Sequence, residues 1–132
     1  MEKIKELKIF TDRRRGDLLP LHLGSLDFEA RRIFTVSNVP KGQVRGEHAH
    51  YQTRQLLICV KGEILVTLDY GDRVTETLLT PGKSIMVENM VWDSQKFLTG
   101  DDFMVVVCST EYDLSDYILS KQEFIEKKKI NQ

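Results

Sequence analysis

Two of the three histidines in this 132-residue chain stand two positions apart, in Arg45-Gly46-Glu47-His48-Ala49-His50. In an extended strand, residues i and i+2 project from one face, so both imidazoles would enter the same space while Ala49 turns away. Imidazole exchanges protons near neutral pH and is also the commonest nitrogen ligand of metals. The pair therefore suits either of two roles, as two nitrogens for a metal or as two acid–base groups along one face of a substrate. On a regular strand Glu47 falls on the opposite face from both. Asp93 is a carboxylate that could complete a facial set of three ligands. Its neighbour Trp92, the single tryptophan, could stack on a base or a sugar, or fill core. Cys59 and Cys108 lie inside apolar runs and lack the CxxC spacing of a metal or redox site, so they read as small buried hydrophobes.

The elements that must position these groups alternate with a period of two. Ile64, Val66 and Leu68 interleave with Leu65, Thr67 and Asp69, Tyr70-Gly71-Asp72-Arg73 supplies turn chemistry, and residues 74–78 return, which predicts a hairpin. Residues 32–36 predict a strand closed by Val39-Pro40-Lys41-Gly42, and residues 84–87 another after the Pro81-Gly82 turn. Met90-Val91-Trp92 runs into a polar stretch that ends at Gly100-Asp101-Asp102. Residues 103–108 form a continuous apolar run, as in a strand buried on both faces. Ser120-Lys121-Gln122-Glu123 fits a capping box with Phe124 and Ile125 just inside. The expectation is one all-β domain over 1–132, a sandwich or barrel with a short C-terminal helix.

Composition excludes several classes. A hydrophobic fraction of 41% is enough to build a core rather than a disordered chain. Nineteen Lys+Arg against twenty Asp+Glu leave a net charge of −1, without the basic excess of a general nucleic-acid binder. No apolar run approaches the roughly 20 residues that span a bilayer. The charged start, Met1-Glu2-Lys3-Ile4-Lys5-Glu6, is unlike a signal peptide, so no membrane partner and a cytoplasmic location are expected.

Gly42 and Gly46 before the histidines, with an apolar strand and Lys61-Gly62 after them, resemble the first cupin motif; Pro81-Gly82 and Asn89 resemble parts of the second. That resemblance implies a small jelly-roll barrel whose mouth holds the ligand. A metal-binding cupin takes a further carboxylate soon after the pair and a histidine from the second motif. This chain has Arg54-Gln55 and Asp93 there, so neither a metal nor another cofactor is expected.

A closer resemblance runs over about residues 9–127. Arg15-Gly16, Arg32-Ile33-Phe34, the stretch from Arg45 to His50, Leu57-Ile58-Cys59-Val60-Lys61-Gly62, Val91-Trp92, Tyr112-Asp113 and Asp116-Tyr117-Ile118 look like the WxcM-like sugar-nucleotide 3,4-ketoisomerases. Membership would imply an isomerase, working as a metal-independent homodimer, that moves the ketone of a dTDP-linked 4-keto-6-deoxyhexose from C4 to C3. His48 and His50 would then be the catalytic pair, passing protons at C3 and C4 through an enediol. Arg15, Arg32 and Arg45 would be candidates for the pyrophosphate, which guanidinium forks suit, with Trp92 and Asp93 completing the substrate-binding set. The chain departs from the family at Phe34 and Thr35, where tyrosines are frequent, at Asp93, where histidine is common, and at Arg54, where glutamate is common. The oxyanion donor is left open. The alternatives are a non-catalytic sugar-nucleotide-binding cupin and a related 3,5-epimerase.

Overall fold

The period-two segments pair, in a computed structural model that describes residues 2–130, into two five-stranded antiparallel sheets. The first runs β1 (Ile4–Glu6), β9 (Lys83–Val87), β6 (Gln55–Lys61), β11 (Phe103–Cys108), β4 (Arg32–Ser37). The second runs β12 (Tyr117–Ile118), β5 (Val44–His50), β10 (Trp92–Phe97), β7 (Ile64–Asp69), β8 (Val74–Leu79). A separate hairpin joins β2 (Phe10–Asp12) to β3 (Gly16–Leu18), and one helix, α1 (Lys121–Ile130), follows β12.

Alternation along each strand decides what faces inward. Leu57 and Cys59 of β6, Ile64, Val66 and Leu68 of β7, and Met104, Val106 and Cys108 of β11 meet between the sheets with Ile85, Val87, Leu79 and Phe97. This apolar cluster is the main cohesive term, since burying a large aliphatic or aromatic side chain contributes about 1.5–3 kcal/mol. The other face of β6 is also covered: Leu56 and Ile58, with Val107, pack under Leu7, Leu19, Leu21, Leu26 and Phe28 from the N-terminal segment. Helix α1 starts at the capping box, where the Ser120 hydroxyl accepts from the Glu123 N–H at 3.2 Å. Its Phe124 then packs on Ala49 and Ile118 over the outer face of β5 and β12.

The hairpin of β7 and β8, the strand β11 and the helix stand where the sequence places them. Strand β10 corrects the reading of the polar stretch after Trp92. It is six residues long and central in its sheet, between β5 and β7. Its inward positions are Asp93, Gln95 and Phe97, all buried, so no apolar alternation announced it.

Candidate functional site

The site grows from the pairing of β5 with β10. Asp93 stands opposite His48 and Gln95 opposite Arg45, with a register shift between Asp93 and Ser94. Two β5 residues therefore take up the space of one, which is a β-bulge. It is made by Gly46 (φ 84°) and Glu47 (φ 60°), both in the left-handed region. A Cβ at position 46 would in addition crowd Gln95 Nε2 at 2.8 Å and the Asp93 carbonyl oxygen at 3.2 Å. The extra residue reverses the alternation once. Arg45 and His48, three apart, would face opposite sides of a regular strand; across the bulge both share the inward side with their partners Gln95 and Asp93. Spacing alone predicts the shared face of His48 and His50, and Ala49 does turn outward into the helix-covered cluster.

Inside, the two imidazoles lie edge to face with ring centroids 4.9 Å apart. Tyr117, opposite His50 in the ladder of β12 and β5, packs on both rings at 4.4 Å and 5.1 Å. Tyr112 lies 5.8 Å beyond Tyr117. Arg32 enters from β4, its guanidinium 4.7 Å from the Phe34 ring and 5.1 Å from the Tyr112 ring. It also disfavours the charged form of His50. Gln55 donates to Cys108 Sγ at 3.5 Å. Asp93 is fully buried; Gln95 Nε2 donates to its Oδ2, and its Oδ1 lies 3.7 Å from His48 Nε2.

Burial sets the proton affinities. It lowers His48 below its ordinary value, partly opposed by the Gly46 carbonyl, which hydrogen-bonds the imidazole. Burial, followed by the nearby His48, brings His50 down to about 4. Burial pushes Asp93 up to about 7, against the opposing hydrogen bond from Gln95. At neutral pH both imidazoles are therefore uncharged, and each can accept a proton. Among the described residues no three His, Cys, Asp or Glu side chains are grouped as a metal ion would require.

Of the residues singled out in the sequence, His48, His50, Asp93 and Arg32 share this inward face; Arg45 is on the same side by its register with Gln95, and its side chain is exposed. Trp92 does not share the face. One position from buried Asp93, it points to the outer side, where it packs 5.8 Å from Phe124 with Lys121 above it and anchors α1 away from the histidines. Arg15 sits at the tip of the hairpin of β2 and β3, its side chain 86% exposed and paired with Asp12. Within one chain it is not brought to the histidines. Arg54 is held outside, bonded to Glu88 and Asp27 at 2.6 Å and 3.0 Å, and Thr35 of β4 is exposed. Tyr117 and Gln95 carry no role on sequence grounds alone. Tyr117 stands within a segment of family resemblance, whereas nothing marks Gln95.

A two-sheet β-barrel with a pair of histidines turned into one end is a cupin-type barrel. The chain belongs to the WxcM-like family: the model described as FdtA, "WxcM-like, C-terminal", matches residues 1–129. A TDP-4-oxo-6-deoxy-alpha-D-glucose-3,4-oxoisomerase of Aneurinibacillus thermoaerophilus is 31% identical over 112 residues, 83% of this chain and 81% of that protein. The crystal structure of QdtA, a sugar 3,4-ketoisomerase from Thermoanaerobacterium thermosaccharolyticum in complex with TDP, superposes with a TM-score of 0.89 at 26% identity, covering 98% of this chain and 96% of that one. A 3,4-ketoisomerase from Helicobacter canadensis gives 0.87 at 25% identity, covering 97% of each chain.

Proposed function

We propose that this protein is a 3,4-ketoisomerase acting on a TDP-linked 4-keto-6-deoxyhexose. The carrying observation is the pair of uncharged imidazoles 4.9 Å apart on one inward face, in a barrel that matches QdtA over nearly its whole length. One histidine takes the hydrogen from C3 as a proton. The electrons of that bond form the C3–C4 double bond, and O4 gains a proton to give the enediol. The O3 hydrogen then leaves as the C3 ketone forms, and C4 receives a proton. Two protons leave and two arrive, so no oxidant or reductant is needed. Neighbouring bases 4.9 Å apart can serve neighbouring carbons.

Tyr117, packed on both imidazoles, supplies the phenol that stabilises the developing charge on oxygen. Arg32 and Arg45 hold the pyrophosphate by charge-assisted hydrogen bonds. The enzyme needs no metal and works in the cytoplasm; among the described residues no helix is long and apolar enough to cross a membrane. It acts as a homodimer. Strand β4 is an unpaired sheet edge, and Ile33 on it is 58% exposed beside an outer groove of about 830 Å³ lined by Leu7, Ile9, Val60, Phe103 and Val105. Open edges and apolar faces of this kind are commonly covered by a second copy.

Incubation with TDP-4-keto-6-deoxyglucose, followed by 13C NMR, tests the reading. The carbonyl signal should move from C4 to C3, equally after chelator treatment. An unchanged sugar that still binds would favour the non-catalytic cupin. Turnover lost with a removed stoichiometric metal would overturn the metal-free reaction.

A further inference from the structure

The carboxyl of Asp93 plays no part in the proton steps above, yet its placement is costly. It is fully buried, and among the described residues Oδ1 has no hydrogen-bond partner. A buried carboxylate oxygen without a donor is a strong penalty unless a proton sits on it or next to it. The atom it faces is His48 Nε2, at 3.7 Å. The Gly46 carbonyl hydrogen-bonds the same imidazole. A carbonyl only accepts, so the ring nitrogen turned to it carries the hydrogen. With that hydrogen on Nδ1, Nε2 of the neutral ring keeps its lone pair on the side of the unpartnered carboxyl oxygen 3.7 Å away.

We propose that Asp93 and His48 hold one proton in common, making Asp93 a positioning residue that fixes the tautomer of His48 and stores the proton His48 exchanges with substrate. The proton lies either on Asp93 Oδ1, facing the Nε2 lone pair, or on Nε2, facing a carboxylate. Either arrangement leaves the pair without net charge, as a dry site requires. Burial acts in the same sense, lowering His48 and raising Asp93 to about 7. The surroundings do not supply a rival partner. Gln95 from β10 donates to Oδ2, and the β7 residue opposite Asp93 is Leu68. His50 and Tyr117 contact the His48 ring, and the charges of Arg32 and Asp116 act on His50. Gln95 thereby acquires a role, because it occupies one oxygen and leaves the other for the histidine.

Two nuclei in the free protein read the pair directly, 15Nε2 of His48 and 13Cγ of Asp93. In a shared-proton pair both should move together in one step near pH 7, because the apparent values belong to the pair. In Asp93→Asn, which keeps the shape but cannot ionise, the His48 step should fall by about one pH unit or more. Independent steps in the unmodified protein, or a His48 step unchanged in Asp93→Asn, would overturn the proposal. The co-titration needs no variant, so a poorly folded Asp93→Asn does not protect the idea. A turnover arm rests on the isomerase reading: Asp93→Asn should lower kcat about 100-fold, leave KM for the nucleotide sugar nearly unchanged, and remove the neutral limb of the pH profile. An unmodified protein without turnover would sink the isomerase reading and leave the co-titration intact. Independent titration in an active enzyme would sink only the shared proton.

Discussion

The inward end lined by β5 and β10 and the outward face of the sheet containing β4 and β11 break opposite rules of a stable fold. The inward end buries titratable groups: His50 and Asp93 are 4% and 0% exposed. The outward face leaves large apolar side chains in water, with Ile33 of β4 and Leu23 beside the same groove more than half exposed. Buried charge and exposed hydrocarbon are both unfavourable when a chain is alone, and each points to something that relieves it. On the proposed function, the first belongs to the chemistry and the second to a subunit contact.

The largest effect should come from the inward end. His48→Asn and His50→Asn keep a polar side chain but cannot accept a proton near neutral pH, so turnover should drop by about 10²–10⁴-fold with substrate affinity little changed. Steady-state kinetics with a direct binding measurement separates the two quantities. A matching loss of affinity would mean the histidines bind the sugar and leave its protons alone.

The same end should show opposed pH effects on stability. His50 falls to about 4 in the fold from an ordinary 6.5, so its contribution is present above pH 6.5 and is lost as pH falls through 4. Asp93 rises to about 7 from 3.8, so its contribution is present below pH 3.8 and is lost as pH rises through 7. Each amounts to at most about 4 kcal/mol at 1.36 kcal/mol per unit. Between pH 4 and 6.5 the two slopes oppose one another. His48, also lowered by burial, adds a slope of the same sign as His50 in both variants, so Asp93→Asn should gain stability with rising pH more steeply than the unmodified protein, and His50→Asn less steeply. Urea titrations at several pH values would read the sign, and equal slopes in the two variants would contradict the assignment.

The smallest effect on chemistry should come from the outward face. Ile33→Lys places a charge on the exposed edge strand, on the face turned away from the inward side that Arg32 and Phe34 share. Light scattering should report twice the mass of one chain for the unmodified protein and the mass of one chain for the variant. A monomer before substitution would remove the docking role from this face.

The legibility of the sequence follows the same division. Strands such as β7 and β11 are readable because their buried positions are apolar and alternate or run together. The face shared by His48 and His50 is readable because a spacing of two survives any strand register. Strand β10 is not, since two of its buried positions, Asp93 and Gln95, are polar for the sake of the site. The inward turn of Arg45 depends on the bulge at Gly46 and Glu47, and one glycine and one glutamate do not announce a bulge. Trp92 misleads because, without knowing that β10 is a strand, nothing says that Trp92 and Asp93 face opposite ways. Arg15 shares a segment of family resemblance with the site, but the fold carries it to a hairpin tip.

Deuterium exchange from heavy water into the TDP-4-keto sugar, followed at C3 by NMR, tests most directly whether the inward histidines move the protons. The unmodified protein should label C3, and the histidine variant lacking the C3 base should not. The other variant should still label C3 while failing to deliver product. Unimpaired labelling in both His48→Asn and His50→Asn would contradict the account.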